Sequence, residues 1–188
     1  SDVYFDGQGY TIDGVNTGNG IHVVGSSGNE LTNVTINNTF VNDFATGLYF
    51  EYTDNSFVFD SNFSSGNSRN IRILYSNNNI FNNLNITDAS GSNDQGLELA
   101  AADFNNISNS YFNNNNRAII ISTASNNNII INNTIINSVT IGIKAEAISA
   151  DNNLIYNNFF NNTNNYNTVA GADNYFNTTL TEETNIIG

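Results

Sequence analysis

The chain contains no cysteine, proline, methionine or tryptophan, and only one histidine, among its 188 residues. Without cysteine, no disulfide can contribute to stability. With neither cysteine nor methionine, and with His22 alone, soft-metal ligation has almost nothing to work with. Basic residues are nearly as scarce: Arg69, Arg72, Arg117 and Lys144 stand against 17 acidic residues, for a net charge of −13. No basic surface can form to release counterions, which disfavours nucleic acid and anionic membranes as partners. No apolar run approaches the length of a membrane span, so membrane insertion is not expected. No secretory signal is visible, and the start at Ser1 suggests a processed mature protein or an excised domain. Charged residues make up only 11% of the chain, which leaves the solvated surface to Asn, Ser, Thr and Tyr.

What the chain has in abundance is asparagine, 43 residues, set in a degenerate repeat of 22 to 26 residues. Segments ending in Asn-Asn-x-apolar align so that one apolar column holds Ile36, Val58, Phe81, Ile107, Ile130 and Ile155. Five residues later a second holds Val41, Phe63, Ile86, Phe112, Ile135 and Phe160, with the same spacings. Two residues after the first column stands a polar one: Asn38, Asp60, Asn83, Asn109, Asn132 and Asn157. A fourth column, Gly47, Asn70, Gly96, Ala118 and Gly142, opens a run of alternating apolar residues. Four columns in step identify a repeat architecture.

Short apolar runs bounded by Asn and Gly read as strands and turns, and a period in the low twenties suits a solenoid coil. β-Branched and aromatic residues at the apolar positions, with Asn between them, argue against helix. The fold expected is all-β: a right-handed parallel β-helix of about seven coils, spanning residues 1–188 as a single domain. The apolar columns would stack inward at about 4.8 Å per coil. Asn at the matching bend would adopt a left-handed backbone and form an amide ladder with its neighbours above and below. The Gly and Asn of the fourth column suit positive φ in the same way.

Residues 152–162 (NNLIYNNFFNN) and the opening residues 5–14 (FDGQGYTIDG) resemble parallel β-helix repeat proteins of the NosD-like type, common among archaeal, especially methanogen, surface proteins. The resemblance covers nearly the whole chain and implies the fold more firmly than an activity. It implies relatives among carbohydrate-active enzymes, carbohydrate-binding modules and S-layer or sheath components. NosD proteins proper are linked to copper delivery, a role at odds with the absence of soft ligands here.

Candidate chemistry gathers on one outward row. Two residues after the fourth column stand His22, Tyr49, Arg72, Glu98, Ile120 and Lys144. Arg72 and Glu98 would be neighbours, either base and metal ligand of a lyase or a cross-strand ion pair. The ion pair is favoured, because the next member of the row is the inert Ile120. Asp94, Glu98 and Asp103 are weak Ca²⁺ candidates, and residues 87–95, the longest coil insertion, form the best candidate binding loop. Glu51 with Asp54 is the nearest candidate for a hydrolytic carboxylate pair. His22 lacks the companions of a catalytic triad, and Gly18-Asn19-Gly20 precedes a strand rather than a helix, which argues against a phosphate loop. Tyr49, Tyr52, Tyr75, Tyr111, Tyr156 and Tyr166 could stack on sugars or simply support neighbouring coils. No catalytic residue is assigned, and no cofactor is expected beyond possible Ca²⁺. The sequons match the number that chance gives for this composition; Asn177 is the best glycosylation candidate.

The chain opens on Val3-Tyr4-Phe5 and closes on Tyr175-Phe176 and Ile186-Ile187, β-prone residues without a helical cap pattern. Those seven residues are the expected contacts between copies, through strand edges or terminal coils. The function expected is a non-enzymatic, self-assembling extracellular protein of the cell surface, a sheath, filament or S-layer unit, whose partners are its own copies and cell-surface polysaccharide. The alternatives are a carbohydrate-binding or polysaccharide-cleaving module, acting as lyase or glycoside hydrolase, and an adhesin domain.

Overall fold

A computed structural model describes residues 2–176, and every strand pairing within them except one isolated bridge is parallel. Each coil visits three sheets in turn, as in Ile80–Asn82, Asn85–Thr87 and Gln95–Ala100. The first sheet stacks eight strands from Val3–Asp6 to Tyr175–Phe176, and the second and third stack seven each. The result is the expected parallel β-solenoid of about seven turns.

The apolar columns fall into register as the sequence spacing requires. Phe5, Ile36, Val58, Phe81, Ile107, Ile130, Ile155 and Phe176 pair in succession through the first sheet. Ile12, Val41, Phe63, Ile86, Phe112, Ile135 and Phe160 do the same through the second. In the third sheet two adjoining inward columns, which include Leu48 and Phe50, complete the core. It is almost wholly buried in the middle coils and more open at its ends, where Phe5 is exposed and Ile12 and Phe176 are partly buried. Burial of such stacked side chains is the main stabilising term, about 1.5–3 kcal/mol for each fully buried side chain.

The corners explain the asparagine. Asn38, Asp60, Asn83, Asn109, Asn132 and Asn157 all have the expected left-handed backbone, with φ between 48° and 57°. The continuous amide ladder, however, lies at a separate bend four residues before this column, its rungs following their own left-handed turn residues (Asn78, Phe104, Asn127 and Asn152). At the bend entering the first sheet, Asn79, Asn105, Asn128, Asn153 and Asn174 point inward and are linked coil to coil by side-chain amides. Asn133 and Asn158 do the same at the next bend, below Ser110. The Asn-Asn pair is therefore one unit: the first residue turns the chain and the second satisfies buried backbone groups that the turn exposes. Of the turn residues, Asn83 does bond along the axis, donating Nδ2 to Asp60 Oδ1 at 2.6 Å.

The fourth column also needs correction. None of its residues has positive φ. Coil-to-coil proximity keeps it small instead: a Cβ on Gly96 would lie 2.6 Å from the Ala118 carbonyl oxygen, and one on Gly142 2.6 Å from that of Asn165.

Candidate functional site

The third sheet turns its alternate side chains outward, and the charged row forms as its spacing predicts. His22, Tyr49, Arg72, Glu98, Ile120 and Lys144 are successive register partners. The His22 and Tyr49 rings stack at 4.7 Å and 4°, and the Arg72 guanidinium lies 5.3 Å from the Tyr49 centroid. Arg72 Nε is 3.1 Å from Glu98 Oε2, and Arg69 Nε approaches the same oxygen at 2.5 Å. These are charge-to-charge contacts without full hydrogen-bond alignment. Arg69 was not foreseen as a partner; it lies three residues before Arg72 on the same strand, and between them Asn70 and Ile71 are both buried.

One coil pair further on, Glu146 Oε1 is 3.0 Å from both Arg117 Nη1 and Lys144 Nζ. That bridge crosses the row, and beneath it the outward-facing Ile120 is fully buried. All four basic residues are thus held by two glutamates. His22 is 3.7 Å from Glu51. Burial raises the Tyr49 phenol above its ordinary pKa, opposed by Arg72, so the ring stays neutral. A row in which each carboxylate is held between cations resembles a structural network more than an acid/base pair.

The Ca²⁺ candidates do not converge. Asp94 accepts from Gly91 N at 2.9 Å within the insertion loop, Glu98 is engaged by the two arginines, and Asp103 accepts from Asn126 N at 2.7 Å at another corner. No group of three or more His, Cys, Asp or Glu suited to a metal occurs among the described residues. Glu51 and Asp54 also face apart: Glu51 turns toward His22, while Asp54 Oδ1 accepts from Asn77 N at 2.6 Å. Burial raises the Asp54 pKa against that hydrogen bond. Tyr52 and Tyr75 stack at 5.0 Å and so support neighbouring coils.

Among the expected contact residues, Val3, Tyr4, Phe5 and Tyr175 are exposed, whereas Phe176 continues the inward column and packs on Tyr166 at a centroid distance of 3.9 Å. Ile186, Ile187 and Asn177 lie outside the described residues.

A second feature escaped the sequence reading. The residue before each second-column member faces outward, giving the row Thr11, Phe40, Asn62, Asn85, Tyr111, Thr134 and Phe159 along the second sheet. Between Phe40 and Tyr111 the short amides leave an open groove of about 440 Å³. The signal was present one position before the inward column, but it shows only when that column is read as a row.

The family described as Periplasmic copper-binding protein (NosD) matches residues 6–188. No curated protein matches the chain. Among solved structures, the enzymatically active domain of tailspike protein 2 of bacteriophage CBA120 aligns at a TM-score of 0.61 and 12% identity, over 85% of this chain and 28% of that one. The catalytic domain of a GH87 alpha-1,3-glucanase in complex with nigerose aligns at 0.58 and 16%, over 85% and 32%. A protein of Geobacillus virus E2 aligns at 0.54 and 10%, over 86% and 46%. At such identities the likeness is one of fold. The chain spans only 28% to 46% of the length of these structures.

Proposed function

The chain belongs to the NosD family, and from that premise we propose that it is a non-enzymatic, self-assembling structural protein of the cell envelope, working at the extracellular surface as a sheath, filament or S-layer unit. The observation that carries this reading is an apolar ridge on the first sheet. Its outward row runs Tyr4, Thr35, Phe57, Ile80, Asn106, Ile129, Leu154 and Tyr175. Six of those eight side chains are apolar or aromatic, and Tyr4, Phe57, Ile80 and Tyr175 are 64%, 43%, 39% and 53% exposed. An exposed apolar stripe of this length, interrupted only at Thr35 and Asn106, marks an interaction face. A second copy of the same ridge is its natural cover, while Val3 and Phe5, on the opposite face of their strand, are exposed at the open end of the core. The engagement of all four basic residues by Glu98 and Glu146 supports the absence of catalysis.

The copper named in the family description does not fit this chain. No sulfur ligand exists, and the single imidazole is stacked on Tyr49 beside Glu51, without the companions that a copper site requires.

The test is sedimentation velocity with negative-stain microscopy, on the native chain and on a Phe57→Lys/Ile80→Lys variant. The native chain should associate with rising concentration, while the variant keeps its circular dichroism and stays monomeric. A native chain that remains monomeric at high concentration, with or without Ca²⁺, defeats the proposal. Incubation with pectate, alginate, chitin-type and β-glucan substrates should release neither unsaturated nor reducing ends.

A further inference from the structure

The groove on the second sheet is built differently from the ridge on the first. Its two ends are aromatic: Phe40 and Tyr111 are 40% and 39% exposed, and three strand steps separate them. At about 4.8 Å per step this is a span of about 14 Å along the solenoid axis. Asn62 and Asn85 form the floor, and the turn residues Asp60, Asn83 and Asn109 form one rim. Every polar side chain there is an amide, hydroxyl or carboxylate, and no basic residue lines it. Phe159, 48% exposed, continues the same row two steps beyond Tyr111, with Thr134 between them.

We propose that this groove binds a neutral polysaccharide lying along the solenoid axis, its sugar rings resting on Phe40, Tyr111 and Phe159. The chemistry matches each part. An aromatic face is electron-rich and receives the weakly positive C–H face of a pyranose ring. Asparagine offers both donor and acceptor, as sugar hydroxyls require. The rim is held in place before any ligand arrives, because Asn83 Nδ2 donates to Asp60 Oδ1 at 2.6 Å. Preorganisation of this kind lowers the ordering cost of binding. Asn62 Oδ1 has no partner within the protein and is buried; its terminal torsion is soft, and a small rotation presents it to a ligand hydroxyl. The volume lies within the usual range for ligand sites.

Charge selects the class of glycan. All four basic residues belong to the third sheet or its flanking bends, whereas Asp60 sits on this rim and the whole chain carries −13. A uronate or sulfated chain would meet repulsion with no cation to offset it. The site does not rest on self-assembly, since it occupies a different sheet from the apolar ridge.

The experiment is affinity electrophoresis and calorimetry of the full chain against cellohexaose, laminarin and soluble xylan as neutral probes, with polygalacturonate and alginate as anionic ones. At least one neutral probe should bind, with little dependence on salt, and Tyr111→Ala should weaken it roughly five- to tenfold. Phe104→Ala, at the bend between the third and first sheets and 57% exposed, serves as the exposed-aromatic control and should bind as the native chain does. Circular dichroism melts establish that each variant is folded. Absence of binding to all three neutral probes, binding of the anionic probes alone, or equal loss in Tyr111→Ala and Phe104→Ala would each overturn the proposal. Sedimentation of the same samples reads assembly separately, so failure of one proposal leaves the other to be judged on its own data.

Discussion

Replacement of Asn128 tests whether the buried amides hold the coils together or merely fill the corner. Its side chain is fully buried. Oδ1 accepts from Asn105 N at 2.8 Å and from Asn105 Nδ2 at 3.2 Å, while Nδ2 donates to Ala102 O and to Asn153 Oδ1, each at 2.9 Å. Substitution by leucine keeps roughly the same bulk and removes all four contacts. Asn153 Oδ1 retains the Asn128 backbone N–H, and Asn105 Nδ2 retains Ser76 O and Asp103 O. Two contacts then lack a replacement: the Asn105 N–H loses its acceptor, and the Ala102 carbonyl loses this donor. Each stranded group costs about 1–3 kcal/mol, so about 4 kcal/mol together. Burial of the leucine returns about 2 kcal/mol, for a net loss of about 2 kcal/mol. Asn128→Ala has less to return and leaves a void, so its loss is about 4 kcal/mol. For a chain of this size, each kcal/mol moves Tm by about 2–4 °C. Thermal melts followed by far-ultraviolet circular dichroism should therefore rank native above Asn128→Leu above Asn128→Ala. If Asn128→Leu melts at or above the native temperature, the ladder is filler and the reasoning fails.

Three further outcomes follow from the same geometry. Ile130→Asn places an amide in a fully buried apolar column without partners and should cost on the order of 3 kcal/mol or more, read as a fall in the urea midpoint; an unchanged midpoint contradicts the core assignment. Asp54 has its pKa raised above 3.8 by burial, so its protonated form is favoured in the fold and stability is lost as pH rises through the folded pKa. Asp54→Asn keeps an oxygen for the Asn77 N–H and should melt higher than the native chain at pH 7, with the gap closing as pH falls toward 3.8; a gap that persists or reverses in acid removes the argument. Addition of Cu(I) or Cu(II) at several times the protein concentration should leave Tm unchanged, and a rise of several degrees would show a copper site that the donor inventory denies.

The apolar columns were legible because their physics is one-dimensional. An inward position that stacks on its own repeat must be apolar in every coil, so spacing alone placed Phe81 between Val58 and Ile107. The ladder was not legible, because two neighbouring asparagines do not reveal which one turns the chain. In Asn132-Asn133, φ of 57° identifies the first as the turn, and burial identifies the second as the rung. The Arg72–Glu98 pair was foreseen from register, yet Arg69 was not, since strict alternation would turn a residue three places before Arg72 to the other face. Here Asn70 and Ile71 are both buried, and both arginines reach Glu98. Asp94 and Asp103 flank one strand in sequence, but each accepts a backbone N–H at a different corner, a separation that sequence spacing does not reveal.

A rung that matches its neighbours on both sides makes the coil an interchangeable part. Asn79 N donates to Asn105 Oδ1, and Asn105 N donates to Asn128 Oδ1, at 3.0 and 2.8 Å. Excision of residues 105–127 would bring Asn128 to the place of Asn105, facing the same Asn79 N–H, with Ile130 seated on Phe81. Such a chain should refold as a rod about 4.8 Å shorter, a difference measurable by small-angle scattering; a collapsed or unfolded product would show that the coils are not equivalent. Length in this molecule is then set by a count of coils, and a gene that duplicates or drops one alters reach without redesigning either end.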